Sequence, residues 1–502
     1  MTLRDSTLGA AAAACLALVL AAPAQAGEVL VVGGGDPAER VDDPFVPIRA
    51  GADLGREPWR RAVSPRASTS SSRRARRATS RALTLAHRRG AISPGMYREY
   101  RRIVTRARTV ERRLSGARGA ELGNAIALVD GIALQRKLTA GRLPALMLIL
   151  RRNTQYWPRQ PFPSDRDHVM FRGSPLIFEY YAGEGLQLQP LVNFKQANLM
   201  HGACVKDTAE PCDRAGLKRL LRELIRTSTR RGGFKTWEYY FEFGGGRPPW
   251  ISGMAQATAI QAFARASQLL NAPGYLKHAR AAFGAFRKAP PVGVRTTGPF
   301  GGTHYLQYSF APRLYIINAF LQALIGLYDY SEITGDQTAR QLFEDGEPEA
   351  REELVANDTG DWSTYSYRGA ESTREYHELV REFAASMCSR LRREVYCDTA
   401  RNFLRYTTDP AELELLGPAT ATKGVPATIR FWVSKLSAVQ VTVTRNGRVA
   451  LDELDTFRRG NGAFEWTPKA TGTYRIRVAA KELRTGRGLR SSITGVIDST
   501  LP

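Results

Sequence analysis

The chain has 502 residues, is 43% hydrophobic, and carries a formal net charge of +24. That length buries at least one large core, and the apolar share excludes a globally disordered chain. The charge invites a nucleic-acid reading, but no nucleic-acid motif accompanies it and its densest run is a serine-rich segment.

In chain order, Arg4 precedes an apolar stretch from about Leu8 to Ala22, and "APAQA" then sets Ala24 and Ala26 in an A-x-A pattern. Residues 1–26 therefore read as a secretory signal peptide. It is shorter than a membrane span, and no later segment reaches about 18 uninterrupted apolar residues. A secreted or otherwise extracytoplasmic location is expected. Cysteine usage agrees. Cys15 lies in the leader, and the other four fall in close pairs, Cys204 with Cys212 and Cys388 with Cys397. In an oxidising compartment these read as two local disulfides. Zinc is the rival, but neither pair has CxxC spacing and no histidine pair accompanies them.

Residues 27–79 read as a basic, disordered linker. From Arg60 to Arg89 there are ten arginines and no acid, interleaved with "ASTSSS". Such composition belongs to a solvated tail, or to one that concentrates the protein on an acidic polysaccharide by long-range attraction. Residues 80–155 form a helical region. "YREYRRIVTRARTVERRL" and "AELGNAIALVDGIALQRKL" are amphipathic at helical spacing, and "RLPALMLILRRNTQYW" adds a third helix with Pro144 at its start.

Residues 156–415 read as helical hairpins. Long apolar helices such as "SGMAQATAIQAFARASQLL" and "INAFLQALIGLYDYSEITGD" are followed by shorter, more polar ones, "YLKHARAAFGAFRK" and "QTARQLFEDG". That rhythm predicts an (α/α) toroid whose inner-helix mouths line a groove. "PLIFEYYAGEGLQLQPLVNF" and "GFKTWEYYFEFGGGRPPW" read as an aromatic, β-rich insertion of strands or loops. Residues 416–502 alternate apolar and polar positions around an Asn446–Gly447 turn, which predicts an immunoglobulin-like or fibronectin-like β-sandwich without chemistry of its own. The fold class is thus mainly α.

Histidines are scattered, and there is no HExxH, G-x-S-x-G or Walker loop. What stands out is tyrosine in three places: "FEYYAGEG", "HYLQYSF" and "DTGDWSTYSYRGAESTREYHELV". An arginine offers a planar fork for a carboxylate, and a tyrosine beside a cation exchanges a proton as base or acid. Both together suit a uronic acid, whose carboxylate must be neutralised before the adjacent C–H loses its proton.

On "FEYYAGEGLQLQPL", "PPWISGMAQATAI", "YLQYSFAPRLYIINAFLQALIGLYDY", "DTGDWSTYSYR" and "EYHELV", residues 174–406 resemble the catalytic C-terminal domain of D-glucuronyl C5-epimerases. These isomerases convert glucuronate to iduronate in heparan-type chains. The resemblance implies that Tyr365 and Tyr376 are catalytic, with Arg368 as carboxylate clamp, His377 as an orienting neighbour and Asn318 facing the sugar. Tyr308 joins the catalytic set, and Tyr180 and Trp250, in matched pieces, join the substrate contacts. The family reads Leu-Glu-Tyr where this chain has Leu306-Gln307-Tyr308. A neutral Gln307 orients or donates a hydrogen bond but takes up no proton. That departure separates epimerisation by a tyrosine pair from two alternatives, a β-eliminating polysaccharide lyase and a non-catalytic binder of acidic glycans. The partner expected is an acidic polysaccharide, with neither nucleic acid nor a membrane span. The chemistry requires no metal and no cofactor, and relatives of this kind tend to form homodimers.

Overall fold

The computed structural model describes residues 27–33, 37–47, 73–206 and 210–502. The expected signal peptide and residues 48–72 of the expected linker lie outside the described residues. Both flanks of that linker are ordered, which corrects the sequence reading. Strands β1 (Gly27–Val32) and β2 (Glu39–Asp43) pair antiparallel, and helix α1 (Arg73–Arg88) begins inside the basic run. Ala75, Thr79, Leu83 and Ala86 recur along α1 at helical spacing and are buried. This thin apolar stripe suffices to dock a helix whose other face is nearly all arginine.

Helices α2 (Pro94–Glu111), α3 (Gly116–Leu134) and α4 (Leu143–Tyr156) follow where the periodicity placed them. Strands β3 (His168–Phe171), β4 (Ile177–Tyr181) and β5 (Gly185–Leu188) join the first two in a sheet of order β2-β1-β3-β4-β5. Only the β1–β3 contact in it is parallel. The strand or loop expected through residue 194 gives way to helix α5 (Pro190–Val205). Pro190 occupies its first turn, where a missing N–H costs nothing, and the Gln189 side chain accepts from Leu191 N.

Helices α6 (Arg214–Thr227), α7 (Gly253–Leu269), α8 (Leu276–Arg280), α9 (Ile317–Thr334), α10 (Gln337–Ala356), α11 (Arg374–Leu391) and α12 (Glu394–Thr408) complete the helical part. α5 packs on α7, α7 on α9, and α9 on α11. α6, α8, α10 and α12 each cover one member of that row. α7 and α9 are buried nearly all round, as inner helices must be. Two outer helices depart from expectation. α8 is a short helix followed by a separate turn, and α10 runs through Pro348 to Ala356.

From Leu413 the chain forms two β-sheets. Leu413–Gly417, Ala427–Val433 and Gly460–Trp466 make one; the other contains Ser437–Arg445, Arg448–Phe457, Gly472–Glu482 and Arg490–Thr500 with the short Thr420–Thr422. Ile429, Phe431 and Val433 share one core with Val441, Ile476 and Val478 from the facing sheet. The Asn446–Gly447 hairpin forms as expected, both residues taking positive φ between paired Arg445 and Arg448. Both disulfides form, Cys204–Cys212 and Cys388–Cys397. With 44% helix and 24% strand the class is mixed rather than mainly α.

Candidate active site

The tyrosine-rich segments converge. An aromatic cluster separate from the main core joins Tyr181, Tyr239, Phe241, Phe243, Trp250, Tyr308 and Tyr365. It walls a cavity of about 150 Å³, the scale of one sugar residue rather than a chain.

"HYLQYSF" reaches this cavity because α7 begins against it. Gly253 N donates to Leu306 O at 3.0 Å, and Ser309 N to Ile251 O at 3.0 Å. A Cβ on Gly253 would stand 2.5 Å from Leu306 O, so only glycine permits this approach. Ser252, which caps α7, donates from Oγ to Gln307 Oε1 at 3.2 Å. With the amide oxygen so engaged, Gln307 presents its NH₂ as a donor. Gln307 and Tyr308 both line the cavity, as does Asn318 in the first turn of α9. His304 faces the other way, buried against Glu353 with Nδ1 2.7 Å from the carboxylate.

Tyr365 and Tyr376 also line the cavity, their rings 4.7 Å apart and inclined at 65°. Tyr365 rides on a hairpin in which Thr364 pairs with Glu371, and Tyr365 N donates to Ala370 O at 2.8 Å. Arg368 sits in the turn at the tip, with φ 54° and its guanidinium 5.2 Å from the Tyr367 ring. It is exposed and does not line the cavity.

The C-terminal sheets hold this hairpin from behind. Arg484, only 10% exposed, bonds Asp361, and its Nη2 bonds Glu371 Oε1 at 2.8 Å. One guanidinium thereby ties both ends of the segment presenting Tyr365. Arg374, in the first turn of the helix carrying Tyr376, donates to Thr485 O at 3.0 Å. His377 belongs to this support and not to the cavity. Its ring stacks on Trp362 at 3.8 Å, with Nε2 3.0 Å from Phe403 O and Nδ1 2.8 Å from Ser363 Oγ. A carbonyl only accepts, so Nε2 carries the proton and Nδ1 accepts. Burial lowers the His377 pKa to about 4.

The remaining wall comes from the sheet and α5, and the sequence reading missed its charged members. Glu179 lies opposite His168 in the β3–β4 register, and both face the cavity. Arg166, at φ 72°, bonds Glu179 Oε1 through Nε at 2.6 Å and sits 4.8 Å from the Tyr181 ring. Lys195 projects from α5 into the same space; burial draws its pKa down, partly opposed by Glu382 and Glu179. The period of two along β4 explains another correction. Glu179 and Tyr181 face the cavity, so Tyr180 points to the other side, where its OH donates to Glu121 at 2.8 Å. "EYY" alone does not say which tyrosine faces in. Trp250 does line the cavity, stacked on Tyr239 at 4.1 Å and 3°. Burial raises the Tyr181 and Tyr239 hydroxyls above the usual phenol range, which suits them to donating rather than to ionising.

No group of three or more metal-ligating side chains occurs among the described residues. The cavity offers five tyrosines, two of them (Tyr365 and Tyr376) in ring contact, three side-chain amides, the basic Arg166 and Lys195, and the Glu179 carboxylate paired to Arg166.

Residues 231–405 match the family described as D-glucuronyl C5-epimerase C-terminus. The resemblance read from the sequence is thus supported over most of its span. The C5-epimerase match takes in Gln307, Asn318, Tyr365 and Tyr376, and begins after Arg166, Glu179 and Lys195. A D-glucuronyl C5-epimerase of Caenorhabditis elegans is 34% identical over 134 residues, which is 24% of this chain and 22% of that protein. An uncharacterized protein of Methanocaldococcus jannaschii is 25% identical over 166 residues, 32% of this chain and 54% of the other. The chain therefore spans well under two thirds of these relatives. Among solved structures, an endo-beta-1,4-glucanase from Acetobacter xylinum aligns with 43% of this chain and 69% of its own at 15% identity, with a TM-score of 0.30. The CARDB domain of a Pyrococcus furiosus protein aligns with 18% of this chain and 95% of its own at 20% identity, with a TM-score of 0.14. Both scores are too low to assign a fold.

Proposed function

We propose that this protein is a uronate C5-epimerase acting on an acidic polysaccharide, with Tyr308 acting on one face of C5 and the contact pair Tyr365 and Tyr376 on the other. The observation carrying the reading is that the rings of that pair meet in a cavity lined also by Tyr308, Arg166 and Lys195. The cations neutralise the sugar carboxylate and so acidify the neighbouring C5–H. One tyrosine of the contact pair, as phenolate, takes the C5 proton; the electron pair moves into the carboxyl group, giving an enediolate. Arg166, Lys195 and the Gln307 amide stabilise the charge that develops there. Tyr308, which lines the cavity outside that contact pair, returns a proton to the opposite face of C5. Solvent resets the two hydroxyls before the next turnover.

Gln307 stands where the family keeps a glutamate, and in this reading it is an orienting donor rather than a base. Glu179 is the carboxylate the cavity does hold, and its bond to Arg166 makes it the group that aims the clamp. The double row of helices is read as an arc of an (α/α) toroid, with the cavity at its inner mouths. The two disulfides support an extracytoplasmic setting.

Product analysis tests the proposal. The protein is incubated with a panel of uronate polymers, and the C5 configuration is read by NMR alongside ultraviolet absorbance of unsaturated sugar ends. Inverted uronates without chain cleavage support the epimerase. Unsaturated ends would make it a lyase, and binding without either product would make it a glycan-binding protein.

A further inference from the structure

The cavity is small, about 150 Å³, and a larger recess lies elsewhere. Between α2 and α4 runs a trough of about 1400 Å³. Arg98, Arg101, Arg102, Arg106 and Arg113 line it from α2 and its exit, and Arg151 and Arg152 from α4. Its single acid is Glu99, 3.5 Å from Arg151. Arg98, Arg102 and Arg106 recur every four residues, so they stack along one face of α2, opposite the buried Tyr100, Val104 and Ala107. These three are exposed and make no ion pair among the described residues. Like charges at that spacing repel, and nothing in the folding of α2 requires them. Arg108, by contrast, turns inward to Asp130 at 2.9 Å, which shows how this helix treats an arginine used for structure.

Arg152 fixes the trough's floor, its guanidinium 4.4 Å from the Phe171 ring. Burial, and to a smaller degree neighbouring Arg151, lower its pKa to about 10. A second recess, lined by Arg106, Arg113 and Arg159, continues the trough toward β1. The place is distinct from the cavity. His168 at one end of β3 faces the cavity, whereas Phe171, three residues on and therefore on the other face, carries Arg152.

We propose that the α2–α4 trough is an exosite that grips an acidic polysaccharide through carboxylate or sulfate groups remote from the sugar in the cavity. Guanidinium forks match those anions. The alternatives fit less well. A single-stranded nucleic acid is held on aromatic platforms, and the one aromatic lining residue, Tyr97, is already stacked on His87. A membrane-surface helix needs a free apolar face, and that of α2 is buried in the core. The choice of polymer rests on the uronate reading of the cavity; the existence of a polyanion site does not.

The test uses the full chain and its R98S/R102S/R106S variant, with a long uronate polymer, a disaccharide cut from it, a short DNA duplex and vesicles containing an anionic phospholipid. Binding is measured by calorimetry across a salt series. The exosite predicts about tenfold weaker polymer binding in the variant, a shallower salt dependence, and unchanged disaccharide binding. A charge-keeping R98K/R102K/R106K variant should fall between wild type and the serine variant, keeping the long-range attraction but losing the guanidinium forks. Unchanged polymer binding, or an equal loss on the disaccharide, overturns the proposal. So does tighter binding of DNA or vesicles than of polymer through the same arginines. Because the readout is binding, a cavity that turned over no uronate would leave this result interpretable by itself.

Discussion

In the cavity, Arg166 is bonded to Glu179 beneath a layer of aromatic rings; in the α2–α4 trough, Arg98, Arg102 and Arg106 face solvent and one another. The same residue type serves two ends. A buried cation must be paired, and pairing aims it, so it selects and orients one carboxylate. An exposed, unpaired row has little geometric preference but a long reach, so it captures a polymer without choosing among its sugars. Chemistry is expected from the first region and affinity from the second.

The largest effects should fall on the cavity alone. Tyr376→Phe is expected to lower C5 exchange by about 10²–10⁴-fold with an unchanged thermal midpoint, whereas R98S/R102S/R106S keeps the rate at saturating polymer. Steady-state kinetics on both variants separates the regions; a rate loss at saturation in the trough variant would merge them.

Arg484→Ala removes the tie behind the Tyr365 hairpin. Because small misplacements of a reacting group are costly, kcat should fall by about 10–10²-fold while the KM for a disaccharide changes little. Equal rises in KM and falls in kcat would instead point to general loosening.

Acid should weaken the same support. His377 has a folded pKa near 4, below its unfolded value, so the unfolded chain takes up a proton first as pH falls. Its contribution is complete above about pH 6.5 and is lost progressively toward pH 4, amounting to about 3 kcal/mol. Urea melts across that range should show the loss, and His377→Gln should flatten its pH dependence.

Arg166→Met leaves Glu179 buried without its partner and should cost on the order of 2 kcal/mol. Adding Glu179→Gln should restore most of that stability and none of the uronate affinity. No arginine of the trough should show such a coupled pair. The smallest effect expected is at Gln307, where Gln307→Glu should raise exchange a few-fold. A decrease in a folded protein would show that the amide is fitted to this site.

What the sequence revealed follows from where each signal is local. α7 and α9 are legible as long apolar helices, and the disulfides and the Asn446–Gly447 hairpin as short spacings. α1 was hidden because four small or apolar residues among arginines and serines resemble low complexity. Tyr365, Tyr376, Gln307 and Asn318 were found through quoted motifs, and the structure gathers them in one cavity. Arg166, Glu179 and Lys195 were not, because a single arginine, glutamate and lysine on separate elements carry no pattern until the sheet and α5 bring them together. Arg368 came from the resemblance of "TYSYR" to a family motif, and a hairpin turn between Tyr365 and Arg368 sends the two side chains apart.

The most direct test is C5 deuterium incorporation in heavy water, on a uronate polymer shown to bind. Wild-type protein should exchange C5 and yield both epimers without cleavage, and Tyr365→Phe and Tyr376→Phe should each abolish that exchange while still binding the polymer. Exchange at the wild-type rate in both folded variants would contradict the account.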